Sequence, residues 1–328
     1  MGINKRIQHL KVGLVWLCCA LLLSTAVQSA ECERGSLDVR YCDTNSDLVA
    51  DLPQSADDQL HPRALIFAYT PVEDPAVYRD VWSDFLAHLS EVTGLRSVFF
   101  PVQSNAAQIE AMRSGRLHVA GFNTGSTPLA VNCAGFSPFT MMAAKNDSFG
   151  YQMEIITYPD SGIQTIADLK GRTIAFSSPT SNSGFKAPTA ILASEFGMLP
   201  ERDYAAIFSG KHDNTILGVI NRDYVAGAMA NTVKTRMIAR GVVKAGAVKV
   251  LYQSQTFPTT AFGHAYNLAP ELASKVREAF ATFKWEGTNL LAEFSKSGEE
   301  KFISINYKDD WQVIRDIDKA NQVSYGCR

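Results

Sequence analysis

Ser177-Ser178-Pro179-Thr180-Ser181-Asn182-Ser183-Gly184-Phe185-Lys186 is the stretch around which this chain is organised. The apolar run Thr173-Ile174-Ala175-Phe176 before it reads as a buried strand. After it, Ile191, Leu192 and Phe196 recur at helical spacing over 187–196. The quoted residues are therefore a loop that opens a helix. Helix N-termini present unpaired N–H groups and a partial positive charge of about half an electron, which suits an anion. Ser, Thr and Asn fill six of the seven positions 177–183 and add side-chain donors. An over-supplied N-cap accounts for the same residue types, because they are favoured at that position anyway. The surrounding chain has to decide between the two.

The 328 residues are too many for one ordinary core and suit two lobes of roughly 100–150 residues each. The chain is 46% apolar and 20% charged, the balance of a soluble globular protein. Residues 1–30 read as a secretory signal: Lys5, Arg6 and Lys11 form a basic start, Val12 to Val27 is uncharged and apolar, and Val27-Gln28-Ser29-Ala30 ends in small residues. The apolar run is short for a ~20-residue membrane span. Cys18 and Cys19 lie inside that run without a small residue before Cys18, which argues against a lipid anchor. Removing three basic groups with the signal leaves 28 cations against 33 anions, a net −5 with neutral histidine. There is no basic patch for nucleic acid, so a bound anion has to be held by local donors rather than by a global positive field. Four cysteines remain, Cys32, Cys42, Cys133 and Cys327, and three pairings are open. We expect Cys32 with Cys42 and Cys133 with Cys327. No Cys-x2-Cys pair is left for zinc, and no metal or cofactor is expected.

Residues 31–62 read as a polar leader. Regular structure begins with a strand at Ala64–Tyr69 and a helix from Pro75 to Gly94, with Val77, Val81, Phe85, Leu89 and Val92 on one face. Further strands are expected at Ser97–Val102 and Leu117–Phe122, the latter ending in Asn123-Thr124-Gly125. This alternation argues an α/β lobe with a largely parallel sheet, first part 63–156. In such sheets ligands lie at the carboxyl ends of strands, where Tyr69, Phe122, Asn123 and Thr124 fall. Gln152–Tyr158 reads as a strand leaving this lobe. A second α/β lobe over 157–254 carries strands at Thr173–Phe176, Tyr204–Phe208 and Tyr224–Met229, with His212-Asp213-Asn214 and Asn231 in polar runs beyond strand ends. Residues 255–328 rejoin the first lobe, so two segments cross between the lobes, near Tyr158 and Phe257.

This pattern resembles the periplasmic phosphonate-, phosphite- and phosphate-binding proteins of ABC importers over about residues 64–285. Its main carrier is Ser178-Pro179-Thr180-Ser181-Asn182-Ser183-Gly184, similar to that family's Asp-Pro-x-Ser-Thr-Ser-Gly loop, with Ser for Asp and Asn for the central Thr. Asp168-Leu169-Lys170-Gly171, His212-Asp213-Asn214 and Pro270-Glu271-Leu272 support it. The resemblance implies a two-lobe, type 2 periplasmic-binding-protein fold with two crossing hinge segments. It implies that Ser181, Asn182 and Ser183 hold an oxyanion, that His212 contacts it with its charged form favoured by the anion, and that Tyr69 and Phe122 wall the cleft. Phe122 lacks the hydroxyl more usual there, and core packing explains it equally well. Asn123, Thr124 and Asn231 complete the expected ligand set. Glu73, Asp74 and Asp213 are the acidic candidates for an amino group, while the neutral Asn231 argues against an amino-phosphonate. The implied partners are a small phosphorus oxyanion and an inner-membrane ABC permease, with the chain a monomer.

Two other functions fit parts of the chain. A ligand sensor for a signalling partner would use the same lobes. Ser183-Gly184-Phe185-Lys186 satisfies the Ser-x-x-Lys pattern of serine acyl enzymes, but the partner motifs Ser-Asp-Asn and Lys-Thr-Gly and a Gly-x-Ser-x-Gly elbow are absent. No Gly-x4-Gly-Lys-[Ser/Thr] loop is present, so nucleotide hydrolysis would have to come from a partner.

Overall fold

The computed structural model describes residues 32–327. The expected signal at 1–30, with Cys18 and Cys19, lies outside the described residues. Eleven strands are described: β1 (Leu65–Tyr69), β2 (Ser97–Phe99), β3 (Val119–Phe122), β4 (Phe136–Ala143), β5 (Tyr151–Thr157), β6 (Thr173–Phe176), β7 (Ala205–Phe208), β8 (Ala226–Ala230), β9 (Lys249–Phe257), β10 (Ala261–Ala265) and β11 (Lys301–Ser304). They form two sheets, ordered β11-β4-β10-β3-β1-β2 and β7-β6-β8-β5-β9. Each sheet has a parallel trio, β2-β1-β3 in the first and β7-β6-β8 in the second, extended by antiparallel strands. The sheets are thus mixed rather than largely parallel.

Among the added strands, β4, β9 and β11 carry weak sequence signals. β4 contains Pro138, which breaks a ladder and is tolerated at irregularities. It faces Gly263 where the β4–β10 register shifts. A Cβ on Gly263 would meet the Ser137 carbonyl at 2.2 Å, so only glycine lets the two backbones approach there. β5 pairs with β8 and β9 and belongs to the second sheet. The first crossing therefore runs between Ala143 and Tyr151, one strand earlier than near Tyr158, and the second between Phe257 and Ala261.

The first helix also departs from expectation. It begins as a single tight turn, Pro75–Val77, capped by Asp74, and continues as Tyr78–Val81 and Ser83–Thr93. Phe85 and Leu89 are buried as expected, but Val77 is exposed and the inward face is completed by Tyr78 and Trp82. The large rings win because Trp82 packs against Phe67 (centroids 4.7 Å apart) and Phe85 against Phe280 (4.5 Å). Gly94 closes the helix in the left-handed conformation (φ 72°).

Residues 32–62 are packed rather than a loose leader. Leu37 and Tyr41 are buried, Tyr41 donates to the Cys133 carbonyl (3.2 Å), and Asn132 donates to the Ser36 carbonyl (2.8 Å). The disulfides are Cys32–Cys42 and Cys133–Cys327, the expected pairing. The second ties the C-terminal segment, including the helix Gln312–Ala320, to the body of the protein.

Candidate functional site

The Ser177–Lys186 loop leaves β6 and enters the helix Ala187–Phe196 through one turn of π-helix, in which the Lys186 N–H reaches the Ser181 carbonyl (3.0 Å). Such turns are rare and concentrate at functional sites. Ser181 caps it, accepting from the Gly184 N–H at 3.0 Å. A Cβ on Gly184 would sit 1.7 Å from Ser177 Oγ and 2.7 Å from Ser181 Oγ, so the tight loop demands glycine. Across the cleft, a Cβ on Gly125 would lie 2.3 Å from the Asn182 nitrogen, which brings the two lobes into backbone contact. Asn105 Nδ2 donates to Thr180 Oγ1 (2.7 Å), Lys186 Nζ to the Gly125 carbonyl (2.8 Å) and the His212 N–H to the Val72 carbonyl (3.1 Å). The cleft is closed in this structure.

Between the lobes lies a small cavity, with about 50 Å³ open to the centre of a water molecule. A single water needs about 10–15 Å³ on this measure, so there is room for a few heavy atoms. One wall is Ser181, Asn182, Ser183 and His212 from the second lobe, and another is Tyr69, Asn123, Thr124, Thr259 and Thr260. Tyr151, Thr232, Val233, Arg236 and Glu299 complete it.

The hydrogen bonds fix which of these groups donate. His212 Nδ1 accepts from the Ala230 N–H (3.3 Å), so the neutral ring carries its hydrogen on Nε2, 3.3 Å from Ser181 Oγ. Ser181 Oγ thus accepts from both the Gly184 amide and His212, and its own O–H is left to donate. Burial, and after it the nearby Arg236 charge, pushes the His212 pKa down to about 4. The ring is a neutral link, not the imidazolium expected from the sequence: desolvation and an adjacent guanidinium both oppose its charge.

Arg236 is the cation of the cavity. It is 3% exposed and lies 3.6 Å from Glu73, 3.8 Å from Glu293 and 3.6 Å from Glu299. Burial works against its charge, but Tyr78, Tyr69, Glu73 and Glu299 outweigh that and hold its pKa raised. Arg240, one turn further on, pairs with Glu73 and with Glu293 (2.6 Å). The two arginines come from the helix Asn231–Ala239 and its end, the glutamates from the other lobe. This cluster clamps the lobes beside the cavity.

The family model for ABC transporter, phosphonate, periplasmic substrate-binding proteins matches residues 67–311. The chain belongs to that family. The match runs past the span of about 64–285 that the motifs suggested. Among curated relatives, the phosphate-import protein PhnD of Mycolicibacterium smegmatis is 29% identical over 243 residues, 71% of this chain and 75% of that protein. The phosphonates-binding periplasmic protein of Escherichia coli is 24% identical over 237 residues, 70% and 69% of the two chains. The fold is that of a Pseudomonas aeruginosa binding component of an ABC phosphonate transporter (TM-score 0.71, 22% identity, 80% and 87% coverage). It is also that of PhnD1 from Prochlorococcus marinus in complex with methylphosphonate (TM-score 0.70, 16% identity, 80% and 99% coverage).

Within this phosphonate-family protein, the structure brings Tyr69, Asn123, Thr124, Ser181, Asn182, Ser183 and His212 to one cavity. It does not bring Phe122 or Asn231 there. Phe122 is fully buried, edge-on to Phe136 (centroids 4.8 Å apart), because alternation along β3 turns it into the core. Asn231 opens its helix at the strand edge, where its Oδ1 accepts from the Gln152 N–H (3.0 Å), and the following residues Thr232 and Val233 face the cavity instead. Of the acidic candidates, Glu73 is held by Tyr78 (2.5 Å) and the arginines, and Asp74 and Asp213 meet each other through the Asp74 N–H (3.2 Å). The carboxylate lining the cavity is Glu299, whose pKa burial raises against the opposing pull of Arg236. Sequence reasoning missed Arg236, Glu299, Tyr151, Thr259 and Thr260. A Ser183/Lys186 dyad is not assembled: Lys186 Nζ is committed to Asp318 (2.7 Å) and the Gly125 carbonyl.

Proposed function

We propose that the chain captures a small phosphorus oxyanion, a phosphonate, phosphite or phosphate, between its lobes and hands it to an inner-membrane ABC permease. The observation that carries this is the convergence of hydroxyl and amide groups from both lobes on a cavity sized for a few heavy atoms, with one arginine balanced by one glutamate. Ser181 and Ser183 donate to the anion, with Tyr69, Asn123 and the threonines closing the opposite wall. Charge-assisted hydrogen bonds of this kind gain strength once closure excludes water. Motion at the crossings 144–150 and 258–260 opens the cleft. The chain performs no chemistry on the ligand, is exported by cleavage of residues 1–30, and acts as a monomer. The similarity to a phosphate-import protein and to a phosphonates-binding protein supports the ligand class.

A thermal-shift screen of the mature chain tests this. Phosphate, phosphite, methylphosphonate and 2-aminoethylphosphonate are compared with acetate and sulfate. At least one phosphorus oxyanion should raise the melting temperature, because a ligand bound only by the folded state stabilises it. No shift with any of the four overturns the proposal.

A further inference from the structure

The cavity's hydrogen-bonding pattern constrains the protonation state of whatever phosphorus oxyanion it holds. Ser181, already accepting twice, can only donate. Asn182 is different. It is 1% exposed, it lines the cavity, and its Oδ1 is buried with no donor among the described residues. Asn182 Nδ2 donates to the Tyr151 hydroxyl oxygen at 3.1 Å. The Asn182 amide is therefore turned with nitrogen to Tyr151 and oxygen away from it. A buried carbonyl oxygen without a donor costs about 1–3 kcal/mol, and a ligand O–H removes that cost.

Charge points the same way. Arg236 is the cation lining the cavity, and Glu299 in the same wall neutralises it (3.6 Å). Lys186 is paired with Asp318, and His212 is held neutral by the Ala230 N–H on Nδ1. Arg236, the cation in the cavity lining, is already paired with carboxylates, and an uncompensated second charge in a closed cleft is expensive.

We propose that the cleft takes its oxyanion as the singly protonated monoanion, with Asn182 Oδ1 accepting the ligand's P–OH hydrogen. The proposal rests on the phosphorus-oxyanion reading above. The ionisable groups facing Asn182 and the cavity are Tyr151, Tyr69, His212, Arg236 and Glu299. Burial holds both tyrosines above their ordinary value, Arg236 stays charged, and His212 stays neutral. Burial raises the Glu299 pKa and Arg236 opposes that, so the phosphorus resonance of the bound probe, which reports the ligand alone, separates ligand protonation from that of Glu299.

Calorimetry of the full mature chain with methylphosphonate and with inorganic phosphate, from about pH 6 to about pH 9, tests this. Affinity should hold steady below the probe's second dissociation and fall about tenfold per pH unit above it. The ³¹P resonance of the bound probe at the alkaline end should keep the monoanion's shift. Asn182→Thr, which supplies a hydroxyl able to donate, should flatten that fall. An affinity that is flat through the probe's second dissociation, or a dianion shift for the bound probe, overturns the inference and leaves the oxyanion reading intact. No binding of either probe at any pH overturns both.

Discussion

Replacing Ser181 with alanine separates two roles that one hydroxyl fills. In the folded chain Ser181 Oγ accepts from the Gly184 N–H (3.0 Å) and from His212 Nε2 (3.3 Å), and it is 5% exposed. Its removal leaves both donors without that acceptor and uncaps the turn that leads into the helix Ala187–Phe196. Loss of such a cap costs about 1 kcal/mol of stability. It also removes a buried donor to an anion, and hydrogen bonds to charged groups contribute about 1.5–3 kcal/mol. That corresponds to a rise in Kd of about 10- to 150-fold. Titration calorimetry of wild type and Ser181→Ala with the oxyanion that gives the largest thermal shift reads the second effect. Thermal unfolding without ligand reads the first. A Kd within about twofold of wild type would refute the donor assignment, whatever the stability change.

Other expectations follow from the same geometry. His212→Ala should weaken binding by the same factor from mildly acidic to mildly alkaline pH, because His212 is neutral there with its pKa near 4. Calorimetry showing a loss confined to acid would restore the imidazolium. Arg236→Ala leaves Glu73, Glu293 and Glu299 with only Arg240 and Lys296 to balance them and Glu299 without its cation, and should cost about 3–5 kcal/mol in denaturant unfolding. A change within the noise of the titration would mean that Arg240 and Lys296 carry the clamp. His212 and His264 are both pushed down to about 4 from 6.5, chiefly by burial. A lowered folded pKa means that the unfolded chain takes up protons first. Their contribution is complete above about pH 6.5 and is lost as pH falls toward about 4, on the order of 3 kcal/mol for each. Thermal unfolding across that window should show the loss, and His264→Gln should reduce its slope. An unchanged slope in that variant would show that the His264 ring is not held neutral.

The Ser177–Lys186 loop was legible because its physics is local. A short β-branched and aromatic run, a cluster of small polar residues and a glycine with no room for a side chain are all read from consecutive residues. The paired α/β lobes followed from periodicity, whereas the cysteine count left three pairings open, of which the expected one formed. What the sequence concealed depends on residues far apart. Arg236 reads as a surface cation within a helix, because its partners Glu73, Glu293 and Glu299 come from three separate elements. Tyr151 and Thr259 enter the cavity only because the chain crosses between lobes beside them. Phe122 and Asn231 show the other limit: placing a residue at a strand end does not settle which face it takes. One step of alternation put Phe122 into the core, and one step along its helix put Thr232 rather than Asn231 on the cavity. β4, β9 and β11 escaped because Pro138 interrupts the first, β9 is a largely exposed edge strand without regular alternation, and β11 is short and only half-buried.

A structure of the mature chain bound to its phosphorus oxyanion tests the central claim most directly. The phosphorus should lie between the lobes, with its oxygens within about 3.2 Å of Ser181 Oγ and Ser183 Oγ and the Asn182 carboxamide oxygen turned toward it. A ligand bound elsewhere, or one in the cleft that leaves Ser181 and Ser183 without contact, would contradict the account.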